Sequence, residues 1–143
     1  MGMLRGLVST LFVLLLALPA GAADSAPAGE APWQAVISRQ IEAFRAHDAA
    51  TAFSCAGRGF RVSFPSAEAF FDAVISSGYA PIMDSQSHSF GEYLRLGAAA
   101  AIQQVRLVGN GQERYLAVYQ MTAEPEGWRV QGVQLAREAG IAI

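Results

Sequence analysis

The sequence predicts an α+β domain whose helices come first and whose strands follow as an antiparallel sheet. Apolar residues recur at helical spacing from Trp33 to Ala56 and again after Ser66, whereas from His88 onward the period changes to two. Short turns separate the later segments. Consecutive strands joined in that way form an antiparallel meander, and helices grouped ahead of a meander define the α+β class.

Residues 1–23 have the layout of a secretory signal peptide. Arg5 and the free amine make the basic start, Leu7 to Leu18 is almost unbroken aliphatic sequence, and Pro19 breaks the helix. Ala20-Gly21-Ala22 then supplies small residues for cleavage near Ala22 or Ala23. The apolar run of roughly a dozen residues is short of the about 20 that a membrane span requires, and no cysteine follows it to carry a lipid. The expected location is periplasmic or secreted, with no stable membrane anchor after cleavage. Residues 24–31, Asp-Ser-Ala-Pro-Ala-Gly-Glu-Ala, are small or polar and read as a flexible leader. Residues 32–143 have the size of a single domain.

Pro32 suits a first helical turn, where its missing donor is not needed. Trp33, Val36, Ile37, Ile41 and Phe44 then form an apolar stripe, with Gln34, Ser38, Arg39, Glu42 and Arg45 on the other face. This helix ends at His47-Asp48. Asp48 caps a second helix, Ala49 to Ala56, which Gly57 and Gly59 terminate. Phe60 to Phe64 alternates as a short strand. Ser66 caps a further helix with Ala67, Phe70, Phe71, Val74 and Ile75 on its buried side, and Gly78 supplies a left-handed stop. Tyr79 to Asp84 is expected as an apolar loop packed on the rest. Strands are expected near His88–Leu96, Ala100–Val108, Glu113–Ala123 and Trp128–Ala136, with Asn110-Gly111 as a hairpin signal and Glu124 to Gly127 as a turn.

Composition excludes several functions. The chain has no lysine, and its ten basic residues face twelve acidic ones. The arginines are scattered singly, so the basic footprint of a nucleic-acid binder is missing. Cys55 is the single cysteine, which rules out an internal disulfide framework and suits buried packing, since no basic residue adjoins it to activate a thiolate. Two histidines far apart and one cysteine give no metal pattern, no cofactor motif is present, and Gly109-Asn110-Gly111 is a hairpin turn rather than a phosphate loop. On the third strand Tyr115, Ala117, Tyr119 and Met121 share one face, while Leu116 and Val118 share the other. Both faces are apolar. One packs on the helices, and the other suggests a homodimer through the sheet face.

Several segments, in their order and spacing, resemble a known family. They are Ile37 to Phe53 with its core Gln40-Ile41-Glu42-Ala43-Phe44-Arg45-Ala46-His47-Asp48; Phe64 to Phe70; Gly78-Tyr79-Ala80-Pro81-Ile82; and Gly127-Trp128-Arg129-Val130-Gln131-Gly132. The chain resembles the domain of unknown function 4864 family, within the nuclear transport factor 2-like superfamily. That resemblance implies a cone, in which a curved sheet wraps a helical hairpin around a cavity. It implies no activity.

Enzymes of the superfamily place carboxylates, histidines or tyrosines on apolar cavity walls for acid–base work. Glu92 is the one acid well inside an expected strand, and it shares parity with His88, Phe90 and Leu94. The His88–Glu92 separation of about 13 Å along a strand prevents a direct hydrogen bond, though a ligand could bridge part of it. Tyr79, in a loop restricted by Gly78 and Pro81, is a rim-packing residue or a ligand contact. Tyr115 and Tyr119 belong to a cavity wall or to a dimer face. The candidate cavity contacts are thus Tyr79, His88, Glu92, Tyr115 and Tyr119, with no catalytic residue assigned. The favoured expectation is an exported accessory protein that binds a small apolar ligand or a protein partner without catalysis. The alternatives are a lyase or isomerase acting on a small hydrophobic substrate, and a structural dimerisation module.

Overall fold

The computed structural model describes residues 25–26 and 31–139. The expected signal peptide lies outside the described residues. Among them, the helices α1 (Gln34–Arg45), α2 (Ala49–Ser54), α3 (Arg58–Ser63), α4 (Ala67–Val74) and α5 (Ala80–Asp84) precede four long strands. These are β2 (Ser85–Arg95), β3 (Ala100–Gly109), β4 (Arg114–Glu124) and β5 (Gly127–Arg137), paired antiparallel in chain order. The α+β class is therefore observed. A two-residue strand β1, Ser25–Ala26, pairs with Leu94 and Tyr93 on the edge of β2. Residues 25 and 26 thus meet an open strand edge, whose unpaired backbone groups accept a partner readily. No helix of the described residues is long and apolar enough to cross a membrane.

Helix α1 buries Ile37, Ile41 and Phe44, and Gln34 and Gln40 with them. Gln34 therefore sits on the core side and not, as its polarity suggested, on the outer face. The helix ends in a Schellman arrangement: the Asp48 amide donates to Ala43 O at 2.8 Å and the His47 amide to Phe44 O at 3.1 Å. His47 takes the left-handed position at φ 58°. The Asp48 side chain accepts from the Thr51 amide at 3.1 Å and starts α2, and its bonds to Thr51 hold the carboxyl below the usual range.

Phe60 to Ser63 is helix, not strand, and Phe64 follows at its C-terminal cap. A spacing of four residues satisfies both one helical turn and an even strand parity, so Phe60 and Phe64 fit either structure. Val62 decides between them: it is 71% exposed, on the side away from the core, while Phe60 and Phe64 both lie edge-on to Phe70 at 5.8 and 5.7 Å. The segment expected as a loop after Gly78 is also helical. Gly78 takes φ 105° inside a wide turn over Ile75–Tyr79 and ends α4. Then α5 begins with Pro81 in its first turn, where the absent amide costs nothing, and buries Ile82.

The inner face of the sheet carries Ala101, Gln103, Val105 and Leu107 from β3 and Ala117, Tyr119 and Met121 from β4, all buried. Two bulges re-aim the outer strands. On β2, Phe90 pairs with Val105 and Tyr93 with Gln103, leaving Gly91 and Glu92 opposite one residue. On β5, Gln120 pairs with Gly132 and Met121 with Val130, so Gln131 is the extra residue. Val130 then turns its free backbone groups to the helices, donating to Cys55 O and accepting from the Gly57 amide, both at 2.8 Å. At the β3–β4 hairpin, Gly109 and Glu113 flank a three-residue loop with the left-handed position at Gln112, φ 72°, rather than at Gly111.

Candidate functional site

A cavity of about 280 Å³ opens between the helices and the edge strand β5. Phe44 of α1, Phe60 of α3 and Phe64 at its end, Phe70 and Val74 of α4, and Val133 of β5 form its apolar wall. The local sequence explains this wall. The Phe60 and Phe64 rings both stand on the side facing Phe70, and the Gln131 bulge leaves Val130 and Val133 both turned inward. Among the described residues no charged side chain lines the cavity.

The polar groups on the wall are few and mostly committed. The Tyr79 hydroxyl donates to Val133 O at 2.8 Å, the Ser77 hydroxyl donates to Ala73 O at 2.6 Å, and the Gln40 amide nitrogen donates to Ala52 O at 3.0 Å. A second, wider recess of about 510 Å³ shares Phe60 and Phe64 and is lined by Arg58 and Glu124 as well. Glu124 is engaged there, accepting from Arg61 Nη2 at 2.6 Å and from the Arg58 amide at 2.8 Å.

A distinct polar cluster joins α1 to β2. Arg45 donates through Nε and Nη2 to Ser85 Oγ at 3.1 and 3.0 Å, and through Nη2 to His88 Nδ1 at 3.1 Å. A guanidinium can only donate, so Nδ1 accepts and the imidazole proton resides on Nε2. Nε2 then donates to Ser38 Oγ at 2.9 Å. This tautomer has no lone pair left to activate Ser38, so the contact is not a nucleophile–base pair. Burial, reinforced by the Arg45 charge, holds His88 below its ordinary pKa and keeps it neutral. Burial likewise lowers Arg45.

The five candidate residues are dispersed. Tyr79 lies on the cavity wall. His88 faces α1 in the polar cluster, outside the cavity lining. Glu92 is exposed, because the bulge at Gly91–Glu92 inverts the strand's parity between it and His88. The shared face expected for His88 and Glu92 therefore does not form, and Tyr93 takes the inward place against Trp33 at 5.0 Å. Tyr119 is a core residue, 1% exposed, with its phenol pushed far above the usual range by burial. Tyr115 packs half-buried beside the core on the same inner face. Cys55 is buried, and desolvation raises its thiol. Among the described residues no group of three or more His, Cys, Asp or Glu side chains is placed to hold a metal ion.

Gln40 and the phenylalanines were not read as site residues. Two signals point to them: six phenylalanines fall between Phe44 and Phe71, and a glutamine interrupts the apolar stripe at position 40.

An α+β protein with an uncharged cavity between its helices and its edge strand is what these features define. Residues 27–143 match the family described as Domain of unknown function (DUF4864), and the chain belongs to that family. Comparison with curated proteins and with solved structures found no match.

Proposed function

We propose that this protein is an exported binder of a small uncharged apolar molecule, held in the cavity without chemical conversion. The cavity carries the proposal: its wall is mainly aromatic and aliphatic, with no charged side chain among the described residues. An apolar cavity of about 150 Å³ stays dry and takes up benzene. A cavity of about 280 Å³ is scaled to roughly two fused rings, or about ten carbon atoms, by the same measure. Helices ahead of four antiparallel strands, with the cavity between them, support the nuclear transport factor 2-like cone as the wider fold. Export is supported by the sequence of residues 1–23.

Acid–base catalysis by a lyase or isomerase would need a proton carrier in the cavity. Of the candidates only Tyr79 lies there, and its hydroxyl is engaged with Val133 O. A homodimer through the outer sheet face is a second reading, favoured by half-buried Ile102, Leu116 and Val118 on that face; sedimentation at low concentration tests it.

The test of the binding proposal is extraction. Protein purified from its native envelope is extracted with organic solvent beside an Ala73→Phe variant, whose added ring fills the cavity. A neutral compound of about ten carbons recovered from the natural protein and lost from A73F is expected. Recovery of no compound, or of the same compound from both, overturns the proposal.

A further inference from the structure

We infer that the cavity's occupant is an uncharged hydrocarbon bearing one hydroxyl or N–H group, and that this group donates to Gln40 Oε1. The inference rests on the cavity-binding proposal and names the chemistry that the cavity selects. Gln40 is 4% exposed and lines the cavity. Only its NH2 end can donate to the Ala52 carbonyl, which lies 3.0 Å away, so the amide's orientation is fixed, leaving Oε1 and one N–H of that NH2 group. Among the described residues no donor reaches Oε1. Yet it is not sealed in protein, since the buried side-chain polar atoms left without a partner are Arg61 Nε and Arg129 Nε. For a residue so nearly enclosed, the open space that Oε1 meets is the cavity.

The rest of the wall has the same polarity. The Tyr79 and Ser77 hydroxyl protons are committed to Val133 O and Ala73 O, so these hydroxyls present acceptor lone pairs, and the side-chain donor left beside them is the second N–H of Gln40. A ligand oxygen without a hydrogen, as in an ether, can accept from that N–H but leaves Gln40 Oε1 unpaired, whereas a hydroxyl can meet both. A carboxylate would give up its hydration with no cation on the wall to replace it. A phenol, an alcohol or an indole-like N–H satisfies Oε1 and keeps its carbon skeleton against the phenylalanines.

Four probes of matched skeleton test this on the purified protein at pH 7: naphthalene, 2-naphthol, 2-methoxynaphthalene and 2-naphthoate, with binding measured by calorimetry. The expected order places 2-naphthol about tenfold tighter than naphthalene, a factor equal to ~1.4 kcal/mol and within the range of a net hydrogen bond. The ether, which cannot donate to Oε1, binds more weakly than 2-naphthol, and the carboxylate binds more weakly than naphthalene. In Gln40→Leu the preference for 2-naphthol is lost while naphthalene still binds, which also reports that the cavity has formed. Should that variant fail to fold, the ratio of 2-naphthol to 2-methoxynaphthalene on the natural protein decides. Equal affinity for those two, or tight binding of 2-naphthoate, overturns the donor inference and leaves cavity binding standing. No binding of any probe overturns both.

Discussion

Replacing Gln103 by glutamate converts a pH-insensitive core into a pH-sensitive one. Gln103 has no exposed surface. Its Oε1 accepts from Trp33 Nε1 at 2.9 Å and Gln34 Nε2 at 3.0 Å, and its Nε2 donates to Gly91 O at 3.0 Å and Gln104 O at 2.8 Å. In Q103E the acceptor side is kept, but an oxygen faces two carbonyls. A protonated acid donates to one of them and loses the other, at about 1 kcal/mol. An ionised one meets both carbonyls with no cation bonded to it among the described residues, so its pKa in the fold rises above the about 4.3 of the unfolded chain. The native state then binds more protons than the unfolded state, and the variant loses stability as pH rises. The loss begins near pH 4.3 and accrues at up to ~1.4 kcal/mol per pH unit until the folded pKa is reached. By pH 7 its ceiling is about 3.7 kcal/mol, a large part of the 5–15 kcal/mol typical of a domain. Urea unfolding of the natural protein and Q103E at pH 4, 5, 6 and 7 gives the difference directly, with other titrations cancelling. A difference that does not change with pH, or that stays under about 1 kcal/mol at pH 7, refutes this account of the network.

Other perturbations probe separate features. His88 is held neutral with its folded pKa below the unfolded 6.5, so its contribution is fully present above pH 6.5 and is lost as pH falls toward the folded value; the stability difference between the natural protein and His88→Asn should shrink over that interval, with the ring titrating below 6.5 by NMR. Gln112→Gly, at a left-handed residue with φ 72°, should raise stability by about 0.5–1 kcal/mol, the relief of left-handed strain less glycine's chain entropy, read as a higher urea midpoint. Val62→Ser should change stability by less than about 0.5 kcal/mol because the side chain is solvated, whereas Phe70→Ala should cost about 3–5 kcal/mol. A large loss from V62S in the same urea assay would instead indicate the strand reading of residues 60–64.

Periodicity carried much of the architecture because most elements bury one clear stripe or face. The α1 stripe, the Asp48 and Ser66 caps, the Gly78 stop and the four long strands were all legible in that way. The misreadings arose where two periods coincide or where one residue breaks a period. Phe60 and Phe64 are such a coincidence, and only the exposure of Val62 separates helix from strand. Pro81 read as a loop residue because proline is equally at home in a first helical turn. The buried glutamines were hidden by polarity. Gln34 and Gln40 occupy stripe positions relative to Ile37, Ile41 and Phe44, and Gln103 alternates with Ala101, Val105 and Leu107 on the inner face. A polar residue at a core position was therefore visible in the pattern, and a buried amide must have partners. Which partners, and which of its atoms stays open to a cavity, depends on contacts between residues up to 70 apart.

The candidate site was hardest to read because a single bulge separates the residues that strand parity would unite. Gly91 permits the bulge: a Cβ there would lie 3.1 Å from Gln104 Oε1 and 3.3 Å from its Cβ. Gln103 then fixes it by donating to the Gly91 carbonyl. Beyond the bulge Tyr93 turns inward onto Trp33, and Arg95 lies over the same indole at 5.6 Å. Glu92, the acid that regular alternation would set on the face of His88, is delivered to solvent. The Gln131 bulge acts on the opposite edge of the sheet. It lets Val130 bond the α2–α3 connection and leaves Val133 on the cavity wall. Both irregularities favour an uncharged interior, one by sending an acid out and the other by turning aliphatic side chains in. In a wall of that kind the polar atom with greatest leverage over ligand choice is one that no donor among the described residues reaches, and that atom is Gln40 Oε1.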